Sequence, residues 1–261
     1  MSAGCAADSE EDGADGSEAV VGGRSELRDL AVGFVTIRDA GTPGGSDPVV
    51  CSGTLIEPDV VLTAAHCAGT GVMGFGVGPA NAWTEWSEAK VMYLHPAWDP
   101  KHPTNGFDDI AVMKLEKPIA SVPPLKLSPS APGLLDRLFG KEFLYIGYGK
   151  TEQGATGLRK SFDLTLRASK NGVLTATSTN GGNCFGDSGG PLIEPTSQTV
   201  TGVLSYIWEG KCFVGNLSGF TDVALNRPFI DRATACNYAP ERAANAKTTL
   251  APSLDAVACG P

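Results

Sequence analysis

The chain is cut into short apolar runs by clusters of glycine, proline, asparagine and serine, and this punctuation constrains it more than any other feature. Ala31–Ile37, Val49–Ile56, Val60–Ala65, Lys90–Leu94, Ile110–Leu115, Phe143–Ile146, Gly172–Ala176 and Val200–Ile207 each read as a strand. Gly41–Asp47, Pro103–Gly106, Ser121–Pro124 and Asn180–Asn183 separate them. Short strands with frequent turn signals, and no helices alternating with them, predict antiparallel barrels or a sandwich. The 33 glycines and 18 prolines make up about a fifth of the chain, against roughly 12% in an average protein, which argues against a helical fold. One helix is expected. Asn226 is a cap, Pro228 comes shortly after it, and a short helix can run to about Ala235.

The 261 residues suit one large domain or two small ones. Pro118, Pro123, Pro124, Pro129 and Pro132 suggest a linker between two halves of similar size. Residues 1–19 carry Asp8, Glu10, Glu11, Asp12, Asp15 and Glu18 with no Lys or Arg, so much of the net charge of -9 sits there. Such a segment cannot bury apolar surface and reads as an acidic, flexible leader. Residues 236–261 form a second biased stretch, an Ala- and Pro-rich tail. A net-acidic chain has no electrostatic footprint for a phosphate backbone, so nucleic acid is not an expected partner. No apolar run approaches the ~18 residues of a membrane span.

Seven cysteines point to disulfides and an oxidising compartment, secreted or in the cell envelope. No CxxC or CxxH knuckle is present, so no metal site is expected. Pairing three bridges leaves one cysteine over, and connectivity stays open at this level. The leftover is Cys5. Ser2-Ala3-Gly4-Cys5 resembles the end of a bacterial lipoprotein signal, with Ser2 where such signals carry Leu. Cys5 is therefore a candidate lipid anchor.

Three motifs carry chemistry. Leu62-Thr63-Ala64-Ala65-His66-Cys67 sets an imidazole beside a cysteine. Phe107-Asp108-Asp109-Ile110-Ala111-Val112 brings a carboxylate into an apolar strand, where it must find hydrogen-bond partners. Gly186-Asp187-Ser188-Gly189-Gly190-Pro191 leaves a serine hydroxyl open to a substrate backbone, with N–H groups free to point at it. His95 and His102 belong to no such motif and read as surface or packing residues. Asp108 reads as solvated or capping a turn. The acceptor pattern Asn216-Leu217-Ser218 is not taken as a glycosylation site.

These motifs, in this order, resemble the chymotrypsin/trypsin-like serine peptidases over roughly Val20 to Ala235. Val20-Val21-Gly22-Gly23 resembles the mature N-terminus of that family, and Gly147-Tyr148-Gly149 the start of its second barrel. The resemblance implies an all-β fold of two packed, six-stranded antiparallel barrels with a short C-terminal helix. It divides the chain into a leader at 1–19, a peptidase domain at 20–235 and the tail. Within that domain the barrels would span about 20–125 and 133–225, with the helix at about 227–235. It implies a triad of Ser188 as nucleophile, His66 as base and Asp109 as its orienting carboxylate. The N–H groups of Gly186 and Ser188 would form the oxyanion hole, and Ser205 would support Asp109. Gly182 would floor the primary pocket, with Ile207 intruding as in elastases and Ser218 as a polar wall. Small aliphatic residues would then precede the scissile bond.

Cutting after Ala19 would free an amine on Val20 to pair with Asp187. The family pairs Cys51 with Cys67 and Cys184 with Cys212, which leaves Cys236 to pair with Cys259. No cofactor is implied; the partners are polypeptide substrates, and a monomer is the default. A binding module on the same fold, or one locked as a zymogen, is the alternative class, since fold alone does not decide activity.

Overall fold

The computed structural model describes residues 22–25, 31–39, 48–101, 108–130, 138–236 and the backbone of 249–250. Val20, Cys5, His102 and Cys259 lie outside these residues, as do residues 1–19. The first barrel is built from β2 (Val32–Arg38), β3 (Val49–Glu57), β4 (Val60–Thr63), β5 (Val72–Val77), β6 (Glu85–Leu94) and β7 (Ala111–Leu115). They are joined in the order β6-β5-β2-β3-β4-β7, and β6 pairs with β7 to close the ring. The second comprises β9 (Glu142–Gly147), β10 (Lys160–Lys170), β11 (Val173–Thr177), β12 (Pro191–Glu194), β13 (Thr199–Ile207) and β14 (Ser218–Asp222). Its order is β10-β11-β14-β13-β12-β9, closed by β9 against β10.

All twelve barrel strands meet antiparallel neighbours, and each set of six closes on itself. One apolar cluster fills the first barrel around Phe34, Leu62, Phe75 and Met92 and runs on to Phe229 and Ile230 of the C-terminal helix α1 (Arg227–Ala235). A second fills the other barrel around Tyr145, Phe162, Leu192 and Phe220. Pro228 stands in the first turn of α1, where its missing N–H costs nothing.

Three short strands attach outside the rings. β1 (Arg24–Ser25) pairs with Ser161 and Lys160 of β10. A division placing residue 20 onward in the first barrel therefore differs from the pairing, because β1 sits on the second. β8 (Lys126–Leu127) runs parallel to the start of β13, and β15 (Thr249–Leu250) runs parallel to β6 at Val91 and Met92. No helix among the described residues is long and apolar enough to cross a membrane.

Candidate active site at the barrel seam

Strands β4 and β7 pair with Thr63 opposite Ala111, so the turn leaving β4 lies beside the segment entering β7. His66 sits in the 3-10 turn Ala65–Cys67 just past β4, and Asp109 stands just before β7. A disulfide from Cys67 to Cys51 ties this turn to β3. Asp109 is 1% exposed, and its charge is met by three donors. Its Oδ1 accepts the backbone N–H of His66 at 2.9 Å. Its Oδ2 contacts His66 Nδ1 at 2.6 Å and accepts the Ser205 hydroxyl at 2.6 Å. The Thr221 hydroxyl donates to the Asp109 carbonyl at 3.0 Å. Ser205 and Thr221 belong to β13 and β14, so the second barrel grips Asp109 of the first by its carboxylate and its backbone carbonyl. With Nδ1 committed to Asp109, Nε2 is the nitrogen left to act as a base.

Ser188 lies in the turn that feeds β12. Its carbonyl accepts the backbone N–H of Ser52 at 2.8 Å and lies 3.8 Å from Cys67 Sγ. Gly189 packs so tightly that a Cβ there would fall 2.1 Å from Thr63 Oγ1 and 3.0 Å from Ala64 N, the residues leading to His66. The serine turn and the histidine turn are thus packed together. Among the described residues no hydrogen bond joins the Ser188 hydroxyl to the imidazole, a contact that often tightens only when substrate binds.

The N–H groups of Gly186 and Ser188 are oriented through their peptide planes. In a trans peptide the N–H points opposite to the preceding carbonyl. The Phe185 carbonyl accepts Lys150 N–H at 2.8 Å, which turns the Gly186 N–H away from Lys150. The Asp187 carbonyl accepts the buried Tyr145 hydroxyl at 2.6 Å and Gly190 N–H at 2.9 Å, which turns the Ser188 N–H away from that core. Gly186 has a φ of 94°, a backbone state that favours glycine.

Residues of the expected pocket also meet. Ile207 and Ser218 are cross-strand partners on β13 and β14. The Ser218 hydroxyl donates to Asn183 Oδ1 at 2.7 Å, and both residues are fully buried. A Cβ on Gly182 would fall 2.1 Å from the Phe213 carbonyl oxygen, so Gly182 is packed directly against backbone. The Cys184–Cys212 disulfide crosses beside it. Phe185 and Phe213, each next to that bridge, are exposed, as is Trp208 beyond Ile207. Asn183 was not singled out from the sequence; only the fold brings it against Ser218. Asn216 is 2% exposed, with its side-chain amide donating to the carbonyls of Asn183 and Lys211, so it offers no glycosylation acceptor.

Asp187 is fully buried. Its two carboxyl oxygens accept Gly149 N–H at 2.9 Å and Cys184 N–H at 2.8 Å. Its expected partner Val20 is outside the described residues, but Gly22 bridges Gly181, and Gly23 N–H donates to the Asn180 carbonyl. Cys236 is disulfide-bonded, and its partner also lies outside the described residues. His95 is half-buried, its ring 5.0 Å from that of Phe229, and its Nδ1 is 3.4 Å from Asp108. It packs on Phe229 beside the Asp108–Asp109 motif rather than on His66 or the serine turn. Side-chain atoms of Cys51, His66 and Cys67 cluster within 4.8 Å, but both sulfurs are spent in the disulfide and are not thiolate ligands.

Two closed barrels with an Asp–His pair and a glycine-flanked serine at their seam define the architecture of a trypsin-like serine peptidase. The Trypsin family profile matches residues 33–230, and the chain belongs to that family. It is 31% identical to thrombin-like enzyme acutin of Deinagkistrodon acutus over 216 residues, covering 72% of this chain and 86% of the relative. It is 29% identical to chymotrypsin-like elastase family member 1 of Homo sapiens over 225 residues, covering 74% and 84%. The solved structure of HL collagenase superposes with a TM-score of 0.68 at 20% identity, covering 86% of this chain and 99% of that one.

Proposed function

We propose that the chain is a secreted serine endopeptidase with an elastase-like preference for small aliphatic residues before the scissile bond. The observation that carries the proposal is Asp109 holding His66 Nδ1 at 2.6 Å beside the serine turn. In the proposed cycle Ser188 Oγ attacks the scissile carbonyl carbon and its proton passes to His66 Nε2. Negative charge on the carbonyl oxygen meets the N–H groups of Gly186 and Ser188. The intermediate collapses, the C–N bond breaks, and the leaving amine takes the proton from His66. Water, deprotonated by the same imidazole, then releases the acyl group from Ser188. Asp109 keeps the tautomer and stabilises the imidazolium, and Ser205 holds Asp109.

The preference rests on the residues expected to line the primary pocket, with Gly182 against the Phe213 carbonyl, Asn183 joined to Ser218, and Ile207 paired across the strands with Ser218. None of these residues is acidic, so none pairs with Lys or Arg. A pocket that discriminates by a methylene or two gives selectivity of only ~10–200-fold. Exposed Phe185, Trp208 and Phe213 offer apolar surface to neighbouring substrate residues. Secretion is supported by the disulfides.

Activation would come from a cut between Ala19 and Val20, with the new Val20 amine pairing with Asp187. An enzyme with this preference can remove its own leader. The decisive experiment is labelling with a fluorophosphonate probe alongside peptide hydrolysis, comparing processed protein with Ser188→Ala. Labelling and hydrolysis by the first alone support the reading. No reaction with either protein would leave a binding module or a locked zymogen. Loss of residues 1–19 from Ser188→Ala as fast as from wild type would rule out self-cleavage.

A further inference from the structure

The serine turn is held by two side-chain hydroxyls that reach it from different barrels. Tyr145 lies on β9, fully buried, and its hydroxyl donates to the Asp187 carbonyl at 2.6 Å. That carbonyl shares its peptide plane with the Ser188 N–H. Burial, and then the charge of nearby Asp187, push the phenol well above its ordinary range, so it stays a donor. Ser52 lies on β3 of the first barrel, also fully buried. Its hydroxyl accepts Tyr148 N–H at 3.0 Å, which commits its own proton to the Gly186 carbonyl, also at 3.0 Å. Its backbone N–H holds the Ser188 carbonyl at 2.8 Å.

Consecutive peptide planes are therefore fixed from outside the turn: Gly186–Asp187 by Ser52, Asp187–Ser188 by Tyr145, and Ser188–Gly189 by the Ser52 backbone. Rotation of the Asp187–Ser188 plane would swing a donor N–H off its target. The Gly186–Asp187 plane links the two donor peptides, so its rotation would disturb both.

We infer that Tyr145, with Ser52 as its counterpart across the seam, is a positioning residue that fixes the oxyanion-hole peptides of Gly186 and Ser188. The inference rests on the proposed peptidase activity. Neither residue touches substrate. Each acts by stopping a peptide plane from turning, so the effect is confined to the state in which the carbonyl oxygen carries charge. Ground-state binding of a peptide does not depend on it.

Tyr145→Phe tests this with the loss of one oxygen and no change of shape, and Ser52→Ala is the second variant. The measurements are kcat and KM for a peptide amide with alanine before the scissile bond, and inhibition by the matching peptide aldehyde and peptide alcohol. The aldehyde adds Ser188 to form an oxyanion; the alcohol cannot. Each variant is expected to lose about 10- to 100-fold in kcat with KM within about two-fold, the range for misplacing rather than deleting a donor. Aldehyde affinity should fall in step while alcohol affinity holds. Wild-type kcat and aldehyde affinity in Tyr145→Phe would overturn the inference. So would equal weakening of aldehyde and alcohol with a lowered Tm, which is the mark of a structural role alone. If wild-type processed protein neither hydrolyses peptide nor takes the fluorophosphonate, the peptidase reading itself fails, a result distinct from a silent variant.

Discussion

The backbone N–H of Gly149 donates to Asp187 at 2.9 Å, and a Cβ on Gly149 would fall 2.4 Å from the carboxyl carbon of the same residue. The carboxyl is thus boxed in by a loop of the second barrel, with neutral donors on both oxygens. Desolvation outweighs those donors and pushes its pKa up to about 7.

That shift predicts a pH dependence of folding in protein that keeps its leader. Folded Asp187 holds its proton to about pH 7, whereas in the unfolded chain it ionises near pH 4. Its contribution to stability is therefore fully present below about pH 4 and is lost as pH rises through 7, a change of about 4 kcal/mol. Urea midpoints of leader-intact Ser188→Ala, tracked from pH 5 to pH 8, should fall more steeply than those of Ser188→Ala/Asp187→Asn. Parallel curves would contradict it.

Asp109 predicts a graded pair of losses. Asp109→Asn keeps the shape but offers an amide to His66 Nδ1, and kcat should drop by about 10⁴-fold, the size known for the family's type example rather than derived from this chain. Ser205→Ala removes one of three donors to the same carboxylate, and a hydrogen bond to a charged group, about 1.5–3 kcal/mol, implies a smaller loss of about 10- to 150-fold. Steady-state kinetics of both variants check the order; a larger loss from Ser205→Ala would mean that Asp109 does not act through His66.

Gly182 cannot be converted into a trypsin-like floor. Because a Cβ there would meet the Phe213 carbonyl at 2.1 Å, Gly182→Asp should cost about 1–3 kcal/mol from overpacking and bring no cleavage after Lys or Arg. A thermal melt and a peptide library read both effects. A folded variant that cuts after arginine would refute this packing.

The Cys51–Cys67 bridge closes a separation of 16 residues and should contribute about 3 kcal/mol, a model-dependent figure. Cys51→Ala/Cys67→Ala should lower the unfolding midpoint accordingly. Since the bridge clamps the His66 turn to β3, kcat should fall further than the folded fraction explains.

Each run read as a strand from the sequence became one, because apolar residues flanked by turn formers suit a half-buried pleat. Four of the barrel strands escaped that reading for physical reasons. Val72–Val77 carries Gly74 and Gly76, spaces that Trp86 and Phe34 fill from neighbouring strands. Lys160–Lys170 mixes charge into its alternation, Pro191–Glu194 is only four residues, and Ser218–Asp222 is polar yet wholly buried. The proposed triad residues are legible because each sits in a local motif. Tyr145, Ser52 and Asn183 are not, since their partners lie 42, 134 and 35 residues away and only the closed barrels bring them together.

The outlying strands cross over. β1 docks on the second barrel, while β15, the last described strand, docks on β6 of the first. Neither barrel can be excised with its full complement of strands by a single cut at the linker. Cut there, the first half would lack β15 and leave Val91 and Met92 of β6 uncovered, and the second would lack β1 along β10. A ribosome delivers β15 after all twelve barrel strands, so the first barrel stays unfinished until the second has been made. Folding from β1 to β15 is consequently expected as one cooperative transition rather than as two units in succession.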